Sequence, residues 1–179
     1  MTIGLALGAA TAKADQAPGE APPSTLAPAD YKAVKCLHAM SELYVSAGTL
    51  AEKHGGTHAV RDFGATLVSD HEAADQQLLA YAKKAGIDPN RMSGEAPPIE
   101  MAKYVQRVDR LRTLTGPEFD RELAVTMQDA HERALALIQR AVPDIFEHNL
   151  AVLLEQQLPT LEKNREAAAL LVSQTSTGQ

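Results

Sequence analysis

The sequence predicts an all-α fold: a four-helix bundle with a short crossing helix between two helical hairpins and an extended N-terminal arm. Three observations predict it. Apolar residues recur at helical spacing through four long stretches. A Gly-Gly pair and prolines fall between those stretches, where helices must stop. Hydrophobic residues make up 45% of the 179 residues but aromatics only 4%, with no Trp. The core must then be built of Ala, Leu, Val and Met, which suits closely packed helices.

The first helix is expected from Ala29 to about His54, ended by Gly55-Gly56, with Val34, Leu37, Ser41, Tyr44, Val45 and Gly48 facing inward. Thr57 is suited to cap the second helix, which runs to Ala85 and stops at Gly86. Its inward stripe is Val60, Phe63, Leu67, His71, Ala74, Leu78 and Tyr81, so His71 lies on an apolar face. Residues 86–98, with Asp88-Pro89-Asn90 and Pro97-Pro98, read as a connection, and a shorter helix follows from Ile99 to about Leu114. Thr115, Pro117 and Glu118 together make a capping-box start for the next long helix, whose buried side is Phe119, Leu123, Met127, His131, Ala134, Leu135 and Ile138. Pro143 marks the last break. The final helix is expected from Asp144 to Val172, burying Phe146, Leu150, Leu153, Leu158, Leu161, Ala168 and Leu171, with a kink at Pro159. The bundle thus spans 29–173, and 174–179 is a flexible tail.

The front of the chain has a different character. Residues 2–12 are apolar and small and run into Ala12-Lys13-Ala14, a cleavage-site pattern, so 1–14 reads as a truncated signal peptide without its basic leading region. Export to the periplasm is the expectation. Residues 15–28 form a Pro/Ala-rich arm that lacks the apolar content to order itself. Pro18, Pro22, Pro23, Leu26 and Pro28 are its candidate partner-binding residues, because such an arm can lie extended across another protein. No segment approaches the roughly 18 apolar residues of a membrane span.

A formal charge of −6, with acids and bases interspersed, supplies no basic stripe for nucleic acid or an acidic membrane. The one cysteine, Cys36, has no intrachain partner for a disulfide. It reads either as a small core residue or as a link to another chain.

Two segments are related: Asp70-His71-Glu72-Ala73-Ala74 and Ala130-His131-Glu132-Arg133-Ala134, each placing His-Glu in an apolar face, as in a duplicated helical hairpin. Further pieces are 48–53 (Gly-Thr-Leu-Ala-Glu-Lys), 67–71 (Leu-Val-Ser-Asp-His), 82–86 (Ala-Lys-Lys-Ala-Gly), 114–120 (Leu-Thr-Gly-Pro-Glu-Phe-Asp) and 158–161 (Leu-Pro-Thr-Leu). In this order, across Ala29 to Leu171, the chain resembles the exported ferritin-like family called domain of unknown function 4142. The resemblance implies a periplasmic or membrane-associated bundle. It also implies inward positions suggestive of a buried metal site: a first-helix carboxylate, a histidine on each middle helix, and a histidine after Leu-Pro-Thr-Leu. This sequence departs there, with Ser46 at the first-helix position, Ala130 in place of the second acidic residue, and Asn164 in place of the last histidine.

Di-iron chemistry needs inward Glu residues and Glu-x-x-His pairs, which are missing. Glu72 and Glu132 each follow their histidine by one position, about 100° around the helix. Zinc or copper held by His71, His131 and Asn164, or with oxygen from Glu42 or Glu162, is conceivable, but only two nitrogen ligands remain. The favoured account is a buried hydrogen-bonded cluster of His71, His131 and Asn164, with Asp70 fixing one imidazole tautomer. His38 and Glu42 read as a solvated pair one turn apart, and His54 and His58 as exposed turn residues. No Gly-x-Ser-x-Gly elbow or phosphate-binding Gly-rich loop occurs.

The expected function is therefore a non-catalytic accessory or structural subunit of a larger exported or membrane-bound complex, a quinoprotein dehydrogenase being one setting, with no cofactor of its own. The alternative is a metal-binding or stress-related bundle using His71 and His131. Homo-oligomerisation is compatible with either.

Overall fold

The computed structural model describes residues 26–89, 92 and 101–176. The expected signal peptide, the arm residues Pro18, Pro22 and Pro23, and the end of the tail lie outside them. The described chain is all-helical: α1 (Pro28–His54), α2 (His58–Lys84), α3 (Ala102–Leu111), α4 (Gly116–Ala141) and α5 (His148–Ser176), with a 3-10 turn at Val142–Asp144 between α4 and α5. None of the helices is long and apolar enough to cross a membrane.

Pro28 opens α1 rather than ending the arm, because its ring presets the helical φ and its missing N–H would have had no partner there. Leu26, just before it, is half-buried against the core. At the start of α2 the Thr57 hydroxyl accepts the Val60 N–H at 3.3 Å, as its residue type suggests. Thr115 makes no such bond at the start of α4. Gly116, the next residue, has a φ of 59°, so the chain turns left-handed between Thr115 and the first-turn N–H groups that its hydroxyl would have to reach.

The largest difference from expectation falls after Pro143. The 3-10 turn and an extended Ile145 delay α5 to His148, so Phe146 lies outside the helical register of Leu150 and is 80% exposed rather than buried. Pro159 lies inside α5, where the sequence placed it, and Glu155, whose carbonyl loses its helical partner there, is exposed and can be hydrated. The helix also runs through 174–176, which were expected to be tail.

α1 packs along α2 and α4 along α5, giving two hairpins, while α3 crosses against α1 and α4. The α1–α2 contact is backbone-close: a Cβ placed on Gly48 would lie 2.6 Å from the Gly64 carbonyl oxygen. Between the hairpins the core is aliphatic, with Leu67, Leu123, Met127, Leu150 and Leu154 fully buried. Val45, Ala74, Tyr81, Leu135, Leu153 and Leu158, all on the expected inward stripes, are only half-buried at its margin.

Candidate functional site: a closed Tyr-His-His core

Tyr44 of α1, His71 of α2 and His131 of α4 meet in the core, at 1%, 3% and 0% exposure. Helical spacing places each on its stripe, one turn after Met40, Leu67 and Met127. The Tyr44 ring centroid lies 4.3 Å from that of His71 and 4.2 Å from that of His131, and the two imidazoles are 5.4 Å apart. Their Nε2 atoms are separated by 3.2 Å. The Tyr44 hydroxyl donates to the Ala130 carbonyl at 3.0 Å.

Chemistry decides which nitrogen carries which proton. The Met127 carbonyl, 2.7 Å from His131 Nδ1, can only accept, so Nδ1 of His131 is protonated and its Nε2 offers a lone pair. His71 Nε2 must then be the donor between the two rings. Both imidazoles are neutral, since burial disfavours the imidazolium. His71 is lowered to about 3, by burial first, then by His131 and the Lys163 ammonium. His131 is lowered to about 4 by burial, partly offset by the Met127 bond and the Asp70 charge. Burial likewise pushes the Tyr44 phenol well above its ordinary range, so it stays a donor.

Asn164 is fully buried on α5 but bonds to Asp70 instead of an imidazole: its Nδ2 donates to Asp70 Oδ2 at 3.2 Å. Lys163 Nζ pairs with the same oxygen at 2.6 Å. Asp70 therefore ties α2 to α5, and the Met127 carbonyl fixes the tautomer that the sequence assigned to Asp70. The Asn164 Oδ1 is buried and has no hydrogen-bond partner among the described residues.

Other candidates go elsewhere. Ser46 receives a 3.4 Å contact from Arg112 at the surface, and the α1 side chain stacked on both imidazoles is Tyr44, with Ser41 lining the small cavity beside His71. Glu42 is exposed and 3.6 Å from His38, while Glu162 pairs with Arg165. His38 is not the solvated partner of Glu42 that its spacing suggested: it is 5% exposed, and its Nδ1 meets Asp75 Oδ1 of α2 at 2.8 Å. His54 packs its ring 6.0 Å from Phe119, and His58 is exposed and bound to Asp62 at 3.2 Å. Tyr44 was legible only as an inward residue; its role as the ring that joins both imidazoles leaves no mark in sequence.

The two imidazoles supply two nitrogen ligands. A tetrahedral ion about 2.0 to 2.1 Å from each nitrogen would set them roughly 3.3 Å apart, close to the 3.2 Å found. Yet the described residues contain no group of three or more His, Cys, Asp or Glu arranged to hold a metal, and such sites need three or four protein ligands.

The chain matches the family model described as Domain of unknown function (DUF4142) over residues 15–171. It belongs to that family. No curated protein and no solved structure matches it. The DUF4142 match takes in the arm from residue 15, α1 to α4 and most of α5, so Tyr44, His71, His131 and Asn164 all lie within it.

Proposed function

We propose that this DUF4142 protein is an exported, periplasmic, non-catalytic bundle of ferritin-like arrangement that serves as an accessory or structural subunit of a larger exported or membrane-bound complex, a quinoprotein dehydrogenase being one setting. The observation that carries this reading is the closure of the polar core. The cavity beside His71, lined also by Tyr44, Ser41 and Leu161, measures about 20 Å³. That volume has room for about one water, whereas small-molecule sites run to roughly 300 Å³ and more. The imidazoles are neutral and bonded to one another, which suits a structural cross-link between α2 and α4. Function then belongs to the outside of the molecule, and the arm joins that outside at Leu26.

The test is isolation of the native protein under mild detergent, with mass spectrometry of co-purifying chains and metal analysis of the same fraction. Stoichiometric protein partners are expected, and deletion of residues 15–25 should weaken their co-purification without shifting Tm. Unchanged co-purification would overturn the arm's role. About one metal per chain, lost when His71 and His131 are both replaced by Ala, would overturn the structural reading of the core.

A further inference from the structure

At the end of the bundle where α1 begins, an open cleft of about 290 Å³ lies between α1 and the end of α4. Its walls are apolar, with Cys36, Leu37, Met40 and Ile138 among them, and its lips carry opposite charges: Lys32 on α1 and Asp144 in the 3-10 turn. Neither charge has an ion-pair partner among the described residues. Two residues beyond Asp144 stands Phe146, one of two large hydrophobic side chains exposed among the described residues.

We propose that this cleft is the interface between two copies of the chain. A twofold-symmetric contact uses the same patch twice, so the patch must be complementary to itself. This one is. With the twofold axis along the cleft, the α1 lip of one copy lies over the 3-10 lip of the other, and Lys32 meets Asp144 of the second copy in two symmetric pairs. Each Phe146 ring closes over the other copy's apolar wall, so the knob and the recess it fills are neighbours on one surface. An anionic surface would be repelled by Asp144 and a basic segment by Lys32; a second copy satisfies both. The proposal is independent of the subunit's larger partner.

The experiment is sedimentation equilibrium of the full chain across a concentration series, with the alkylation rate of Cys36 measured in parallel. The mass should rise to that of two chains, and Cys36 labelling should slow in proportion to the remaining monomer, because the thiol lies in the covered wall. Phe146→Ser and the single reversals Lys32→Asp and Asp144→Lys should each hold the protein as monomer, and the double reversal should restore the dimer. A single-chain mass throughout, a dimer indifferent to these substitutions, or labelling independent of concentration would overturn it. So would faster Cys36 labelling of the monomer on deletion of residues 1–25, which would place the arm in the cleft.

Discussion

Asp30 and Asp120 make the same bond from opposite ends of the bundle. Asp30, in the first turn of α1, accepts the backbone N–H groups of Phe146 and Glu147, each at 3.0 Å, just before α5. Asp120, near the start of α4, accepts those of Gly56 and Thr57, at 2.7 and 3.1 Å, just before α2. Each carboxylate is buried in the first helix of one hairpin and holds the turn that opens the second helix of the other. The anions also lie at helix N-termini, where the backbone dipoles favour them. The hairpins are therefore related as an approximate twofold pair, and the aspartates, rather than His71 and His131, are the residues that repeat. His71 sits on the second helix of its hairpin and His131 on the first of its own.

Replacing either aspartate with Ala should cost about 2 to 4 kcal/mol, since two charge-assisted bonds are lost while the exposed turn amides regain water. The sites are separated by the length of α1, about 40 Å at 1.5 Å per residue. Urea denaturation of the single and double variants should therefore give additive losses; a double variant no worse than either single would contradict two independent clamps.

Acid should destabilise the protein through its imidazoles. Their folded pKa values, about 3 and about 4, lie below the ordinary value of 6.5, so the unfolded chain binds more protons between those limits. Stability rises with pH wherever that holds; it is fully present above about 6.5 and is lost progressively as pH falls toward 4. The pair contributes a slope approaching roughly 2.7 kcal/mol per pH unit, two protons at 1.36 each. Denaturation curves from pH 7 to 4.5 should show this steepness in the parent protein and a flatter line in a His71→Gln/His131→Gln variant; parallel lines would mean that neither histidine resists protonation.

Gly64→Ala should be destabilising by about 1 to 3 kcal/mol even though Ala is the better helix former. A Cβ there would stand 2.7 Å from the Gly48 carbonyl oxygen and from the Ala51 Cβ, so α1 and α2 would have to move apart. Thermal melts of Gly64→Ala decide the matter, and a raised Tm would show the crossing to be looser than this.

Phe146→Ser should leave the stability of the dilute monomer within about 0.5 kcal/mol, because the ring is exposed. Leu150→Ala, four residues on and fully buried, should cost about 2 to 5 kcal/mol. Equal losses would return Phe146 to the core.

The helices were legible because their signals are local. Helical spacing of Leu67, His71 and Leu78, or of Leu123, Met127 and His131, names the buried face without knowledge of what covers it. The failures were local signals with distant competitors. His38 has Glu42 one turn away in sequence, but its 2.8 Å partner is Asp75, on another helix. Asp30 and Asp120 look like ordinary acidic residues near helix starts until the opposite hairpin brings two amides to each. Thr115 carries a capping signature that the left-handed turn at Gly116 leaves unused.

The amino-acid sequence by itself determined that the described chain is helical, where most helices begin and end, and that His71 and His131 face inward, because each of these follows from the chemistry of residues within a turn or two. Only the tertiary structure decided that the two imidazoles meet Nε2 to Nε2, that Met127 sets their tautomers, that Asn164 turns to Asp70, and that Phe146 faces water. Those outcomes depend on groups tens of residues apart competing for the same buried space, and a buried polar atom is settled by which partner reaches it.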